Sequence, residues 1–225
     1  MTLFRVSIAT SLDGYIATRD GGVGWLDPYF SPEIDFEGFM QQIGATVVGR
    51  TTYDQVGGMG GGASRTIVLT HRPLGRARRG VEVYGGDLRA LAEELRRELE
   101  APGPRQGKDV WLIGGGASIR SFHELGLVDR FEISVMPVLL GDGIPLFPHR
   151  EGGVLGLRLI RSRSLSNGIV ELHYEPAKSP NLPRARARKT TAGKGDAAGE
   201  GSARPTRTRG RGVARERTSR GSGRA

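Results

Sequence analysis

Cysteine is absent from this chain of 225 residues, which excludes disulfides, thiolate metal sites and a cysteine nucleophile. Long apolar runs are missing too. No stretch approaches the ~20 consecutive apolar residues that a membrane-spanning helix needs. The opening MTLFRVSIATSLDGYIA alternates and carries Asp13 early, so it lacks the uninterrupted apolar centre of a signal peptide. A soluble cytoplasmic protein without membrane contact is the expectation. Histidine is scarce: the four present, His71, His123, His149 and His173, show no ligand spacing such as i, i+4 on one helix, and no metal site is expected.

Aromatic residues make up only 6% of the chain, and none lies beyond Tyr174. The closing segment RARARKTTAGKGDAAGEGSARPTRTRGRGVARERTSRGSGRA is also almost free of large aliphatic residues. It cannot bury enough apolar surface to offset the entropy of ordering. The charge follows the same division. Ala177 to Ala225 holds 14 Lys/Arg against 3 Asp/Glu, whereas Met1 to Pro176 holds 19 against 21. The expected organisation is a folded, mildly acidic domain over 1–176 and a disordered basic tail over 177–225. Such a tail offers non-specific, salt-sensitive contact with nucleic-acid phosphates, but no aromatic platform for bases; a solubilising extension is the other reading.

What remains is patterned as strands and helices in alternation. LFRVSIA alternates as a strand, and Asp13-Gly14 in the following SLDGYIA marks a bend. We assign Asp13 to fixing that bend rather than to acid–base work. Trp25 lies in a loop. SPEIDFEGFMQQI predicts a helix capped by Ser31, with Pro32 in its first turn and Ile34, Phe36, Phe39, Met40 and Ile43 on its apolar faces. ATVVGR is a short buried strand leading into the helical turn TTYDQV, and GGMGGG reads as a loop. RTIVLTHR and VEVY are strands, and RARRG between them is solvated charge. DLRALAEELRRELE is an amphipathic helix capped by Asp87, with Leu88, Leu91, Leu95 and Leu99 as its buried stripe. DVWLIG is a strand, ASIRSFHELG a helix and DRFEISVMPVLL a strand. GLRLIRSRSLS and IVELHYE flank Asn167-Gly168 as a hairpin. The fold class is α/β: a mixed sheet, mostly parallel, closed by an antiparallel C-terminal hairpin, with helices on both faces.

Three strand ends carry the chemistry. VWLIGGGASI runs four large apolar residues into three glycines and a helix start. Free N–H groups there, with the helix dipole behind them, suit an anion. It is not a Rossmann fingerprint, because Ile119 stands where the third glycine belongs and SVMPVLL supplies no ribose-binding acid. It is not a P-loop, since Gly-Lys-Ser/Thr is absent. Ser118 is not a nucleophile elbow, because the G-x-S-x-G frame is missing. VVGRTTY ends a second apolar strand in Gly49 and Arg50, with Thr51 and Thr52 opening a helix. IVLTHR ends a third in Thr70, His71 and Arg72. Three such junctions at one sheet edge point to a phosphate-bearing ligand beyond the carboxyl ends of the strands. Arginines beside a dianion favour NADP over NAD.

ATSLDGYIA, VVGRTTY, IVLTHR and LIGGGASI, in that order, resemble the dihydrofolate reductase-like superfamily. IGGGASIRSFHELGLVDRFEISVMPVLLGDGIPLF is similar to the C-terminal reductase domain of the bifunctional riboflavin-biosynthesis deaminase/reductase. The resemblance runs from about Leu3 to Glu175. It implies an NADPH-dependent reductase with a small-molecule substrate and a homodimeric assembly. It implies that Gly114, Gly115, Gly116, Ala117 and Ser118 hold the cofactor pyrophosphate. Gly49, Arg50, Thr51 and Thr52 would bind phosphate, and Thr70, His71 and Arg72 would read the adenosine 2′-phosphate. Asp35 stands where dihydrofolate reductases carry a catalytic carboxylate on the first helix, and Trp25 where they carry a loop tryptophan; a solvated charge beside Glu33 and Glu37 is the other reading of Asp35. The chain departs from the riboflavin enzyme at Gly114, where that domain has glutamate, and nothing in it matches the zinc-ligating deaminase domain. Three activities are left open. One is hydride transfer to a C=N or C=O carbon of a heterocyclic or ribityl-type substrate, another dihydrofolate reduction through Asp35, and the third non-catalytic nucleotide binding with a nucleic-acid-binding tail.

Overall fold

The computed structural model describes residues 1–56, 65–75, 79–147 and 154–177, all within the unit Met1–Pro183. The GGMGGG run, residues 76–78 of RARRG, His149 and the basic tail lie outside the described residues.

Alternation in the strands sorts side chains onto two sheet faces, and each face is covered by helices. Strands β1 (Phe4–Ser11), β3 (Ile43–Gly49), β4 (Arg65–Leu69), β5 (Val81–Tyr84), β6 (Asp109–Ile113) and β7 (Arg130–Met136) run parallel. The C-terminal hairpin, β9 (Leu157–Ser164) and β10 (Val170–Pro176), joins antiparallel beside β7. The order among the described residues is β5-β4-β3-β6-β1-β7-β10-β9.

One face carries Phe4, Val6, Ala45, Val47, Ile67, Val110 and Leu112 against helices α3 (Leu88–Glu100) and α4 (Gly116–Glu124). Leu91, Leu95 and Leu99 of α3 are fully buried there, each contributing roughly 1.5–3 kcal/mol by leaving water. Phe4 stacks on Phe122 with ring centroids 5.8 Å apart. The other face packs Val48 and Val68 on Tyr53 of α2 (Arg50–Gln55). On that same face Trp111 of β6 meets Phe36 and Phe39 of α1 (Phe36–Gln41) edge-on, at 5.9 and 5.2 Å.

Several expectations shift. The helix expected over 31–43 is only the six residues of α1, capped by Asp35, whose Oδ1 accepts the Gly38 N–H at 2.8 Å. Ser31 instead closes a local turn, accepting the Glu33 N–H at 3.2 Å through its hydroxyl. Tertiary contacts hold the segment away from the helix. Glu33 bonds the Ser166 hydroxyl in the hairpin turn, Ile34 packs with Met136, Leu165 and Ile169, and Ile43 already belongs to β3. The Trp25 loop is a 3-10 turn over Gly24–Tyr29. A small second sheet pairs β2 (Tyr15–Ala17) with β8 (Ile144–Pro145), a pairing that only the fold brings together. The hairpin closes at Leu165 and Ile169 rather than around two residues, with Gly168 at φ +88°. That is a three-residue loop with glycine in the left-handed position.

Asp13 does fix the bend. Its carboxylate accepts from the Ser11 hydroxyl at 2.6 Å and from the Leu140 and Gly141 N–H groups at 3.1 and 2.7 Å. The turn after β1 is thereby tied to the segment after β7. The Ser11 hydroxyl is the main reason that the Asp13 carboxyl titrates below the usual range, with the two backbone donors adding to it.

Candidate functional site

Parallel strands deliver their carboxyl ends to one edge, so the three predicted junctions converge. β3 lies between β4 and β6, which places Gly49, Thr70 and Gly114 at neighbouring strand ends. The contact that locks them is made by Thr52: its hydroxyl accepts the Gly115 N–H at 3.0 Å. Gly114 has φ +139°, a conformation side chains rarely adopt, and a Cβ there would sit 3.2 Å from the Gly49 nitrogen. A Cβ on Gly49 would come within 2.5 Å of the Ser118 hydroxyl. The turn is therefore shut to side chains by its own packing.

α4 starts from Gly115 with no side-chain cap. Its first N–H groups, unlike those of α1 and α3, are left for something else. Beside them a cavity of about 340 Å³ is lined by Leu69, Thr70, His71, Tyr84, Gly85, Gly86, Leu88, Ala117, Ser118 and Ser121. Thr70, His71, Ala117 and Ser118 of the predicted set thus share one wall. The end of β5, Tyr84-Gly85-Gly86, was not read from the sequence. Its signal was two glycines between a strand and the capping residue Asp87.

Other predicted residues fall differently. The Arg50 guanidinium is occupied: Nε pairs with Asp54 at 2.7 Å and a terminal nitrogen donates to the Pro73 carbonyl at 3.1 Å. Thr51 and Arg72 are exposed and do not line this cavity; the Arg72 N–H donates to the Thr70 hydroxyl at 3.0 Å. The Trp25 indole packs in the cluster of Met136, Leu165 and Ile169, with its N–H buried and unpartnered among the described residues.

Asp35 belongs to a second cavity, of about 400 Å³, on the sheet face beside α1. Ile34, Phe36, Phe39 and Gln42 form one wall. The floor comes from four strands: Arg5 and Ser7, Arg130, Glu132 and Ser134, Arg161 and Arg163, Glu171 and His173. β6 links the two cavities, since its Trp111 backs Phe36 and Phe39 and the strand then runs into the glycine turn.

The cavity floor is charged and mostly self-paired. Arg5, 5% exposed, donates three bonds of 2.8–3.1 Å to Glu132, which is 6% exposed, and one of 3.1 Å to Asp109. Its guanidinium also sits 4.8 Å over the Phe39 ring. Arg163 pairs with Glu171 at 2.8 Å. His173 lies 3.9 Å from Glu132, which alone would favour a charged imidazole. Glu132 is already committed to Arg5, however, and burial outweighs its pull, so the His173 pKa falls below the ordinary value. None of this floor was legible as a site, because the residues meet only through cross-strand register: Ser7 beside Glu132, Glu132 beside His173, His173 beside Arg161.

The fold and the site together define a class: an α/β sheet with a glycine turn and an uncapped helix start at the carboxyl ends of its parallel strands. The chain belongs to the RibD C-terminal domain family, whose model matches residues 59–171. It is 33% identical over 173 residues to the uncharacterised Bacillus subtilis protein YwjB, covering 74% of this chain and 94% of that one. With the uncharacterised B. subtilis protein YyaP the identity is 29% over 178 residues, at 75% and 92% coverage. Among solved structures, a protein of Shewanella sp. PV-4 provisionally assigned to riboflavin biosynthesis superposes with a TM-score of 0.67 at 27% identity, over 79% of this chain and all of that one.

Proposed function

We propose that the protein is an NADPH-dependent reductase that delivers hydride to a C=N or C=O carbon of a small heterocyclic or ribityl-type substrate. The observation that carries this reading is the Thr52–Gly115 bond, which holds a side-chain-free turn open at the uncapped start of α4. The residues present fit a dinucleotide. Gly114, Gly115, Gly116 and Ala117 offer backbone N–H groups to the pyrophosphate, with Gly49 and Thr52 as the opposite wall. The smaller cavity takes the adenosine end, where Thr70 and His71 face it and Arg72 stands exposed at its rim. Arg72, rather than the occupied Arg50, is the guanidinium free to meet a 2′-phosphate among these residues. The bound dihydronicotinamide supplies the hydride. The chain's own part is to orient the two reactants and exclude water from between them.

The larger cavity is the substrate side in this reading. Phe36 and Phe39 form its apolar wall, against which a flat ring can lie, and the polar strand floor fixes orientation. Asp35 lines this cavity, which keeps dihydrofolate reduction through that carboxyl as the second reading. A cofactor-oxidation assay tests both: NADPH with the ribosylaminopyrimidine intermediate, dihydrofolate, and simple imines and carbonyls. Turnover of the first or last group supports the main reading, and turnover of dihydrofolate alone supports the second. Failure of NADPH to bind by calorimetry would overturn both.

A further inference from the structure

The larger cavity contains four arginines, and their partners divide them into two pairs. Arg5 is neutralised by Glu132 and Asp109, and Arg163 by Glu171, while Arg163 also donates to the Glu33 carbonyl at 3.1 Å. Arg130 and Arg161 have no carboxylate partner among the described residues, although carboxylates line the same floor. The Nε of Arg130 is buried without any hydrogen-bond partner. A buried donor left unpaired costs roughly 1–3 kcal/mol, so this one is held for a group that the folded chain does not itself supply. His173 stands between the two arginines, on the strand next to each. The opposite wall holds Phe36, a large aromatic left 52% exposed.

We infer that this cavity binds a ring-bearing small molecule through an oxyanion substituent, phosphate or carboxylate, gripped by Arg130 and Arg161 with its ring against Phe36 and Phe39. Two unpaired guanidiniums at one end of an otherwise balanced cavity leave positive charge where only a ligand can neutralise it, and guanidinium geometry matches both oxyanions. The aromatic wall lies on α1 and the charges on β7 and β9, so ring and acid group are read by different elements. The inference deepens the reductase reading and rests on it only in treating the occupant as substrate.

His173 supplies a built-in reporter. The groups facing it are Glu132 and Arg130 from β7, Glu171 from its own strand and Arg161 from β9, with Arg5 behind Glu132. Burial lowers its pKa most, and Arg161 and Arg130 lower it further against the pull of Glu132 and Glu171. An oxyanion on the two arginines would offset their contribution and move the titration of His173 upward.

The test titrates the whole protein with phenyl phosphate, benzoate and benzyl alcohol, using calorimetry and the imidazole proton resonances, with His173→Gln to assign the signal. Phenyl phosphate or benzoate should bind about tenfold more tightly than benzyl alcohol, the worth of one charged hydrogen bond, and should raise the His173 midpoint. The tighter of the two anions names the substituent. Arg161→Gln, at an exposed position where folding is not at stake, should lose that advantage, as should Arg130→Gln. Equal binding of all three probes would overturn the inference, and so would anion binding that survives both substitutions or leaves His173 unmoved. NADPH affinity measured on the same samples separates the two readings. Intact NADPH binding with no anion preference sinks this inference alone, whereas anion preference without NADPH binding sinks the reductase reading alone.

Discussion

Gly115→Val separates a phosphate-binding turn from a mere connector. Gly115 has φ −58° and ψ 157°, an extended conformation open to any residue, and the nearest atom to a new Cβ is the Thr52 hydroxyl at 3.9 Å. The fold therefore has room for the first carbon of the side chain without backbone strain. The cost to stability is that of replacing glycine at an N-cap with a poor capping residue, about 1 kcal/mol. Ligand binding should suffer more. A phosphate oxygen has to come within roughly 3 Å of the turn's N–H groups, and the valine methyls occupy that approach. Losing one charged hydrogen bond is enough to weaken NADPH binding by at least ~1.4 kcal/mol, or tenfold. Gly114→Ala makes the opposite probe: φ +139° and a Cβ 3.2 Å from the Gly49 nitrogen should lower Tm first. Thermal melts and calorimetric Kd values on both variants decide the matter. A folded Gly115→Val protein with wild-type NADPH affinity would refute the assignment.

NADPH should bind at least about tenfold more tightly than NADH, the worth of one charged bond to the 2′-phosphate; equal Kd values by calorimetry would remove Thr70, His71 and Arg72 from that role. Glu132→Ala should destabilise the fold by roughly 3 kcal/mol or more in urea melts, because it strips a buried guanidinium of its main partner and leaves only Asp109; a loss below 1 kcal/mol would show that Asp109 suffices. Asp13→Asn should lower Tm at neutral pH. The Asp13 pKa is depressed in the fold, so its contribution is complete above the unfolded value of about 4. That contribution disappears as pH falls through the lower folded value, and the Tm gap between the two proteins should close there. A gap independent of pH would assign the effect to packing.

Local patterning carried much of this protein. Asp87 and the leucines at 88, 91, 95 and 99 announce α3 because a helix stripe repeats within a single segment, and the structure buries Leu91, Leu95 and Leu99 completely. The glycine turn was equally legible, since three glycines between a strand and a helix have few structural uses. The helix around Asp35 was misjudged for a tertiary reason. Ser31 and Pro32 are good starting signals, but the bond from Ser166 to Glu33 and the apolar cluster around Ile34 draw that turn toward the hairpin, and Asp35 caps instead.

The sequence by itself determined the alternation of strands and helices, the class of fold, the turn that Asp13 clamps and the chemistry at three strand ends, because each depends on residues within a few positions of one another. It could not determine which arginines are spent and which are free. Arg5 and Arg130 sit on neighbouring strands with similar surroundings in sequence. Only the register of β1, β7, β10 and β9 brings Glu132 onto Arg5, leaves Arg130 and Arg161 unpaired beside His173, and turns Arg50 toward Asp54 and Pro73. Ion pairing is decided by distances of a few ångströms between segments more than a hundred residues apart, and those distances exist only once the sheet has closed.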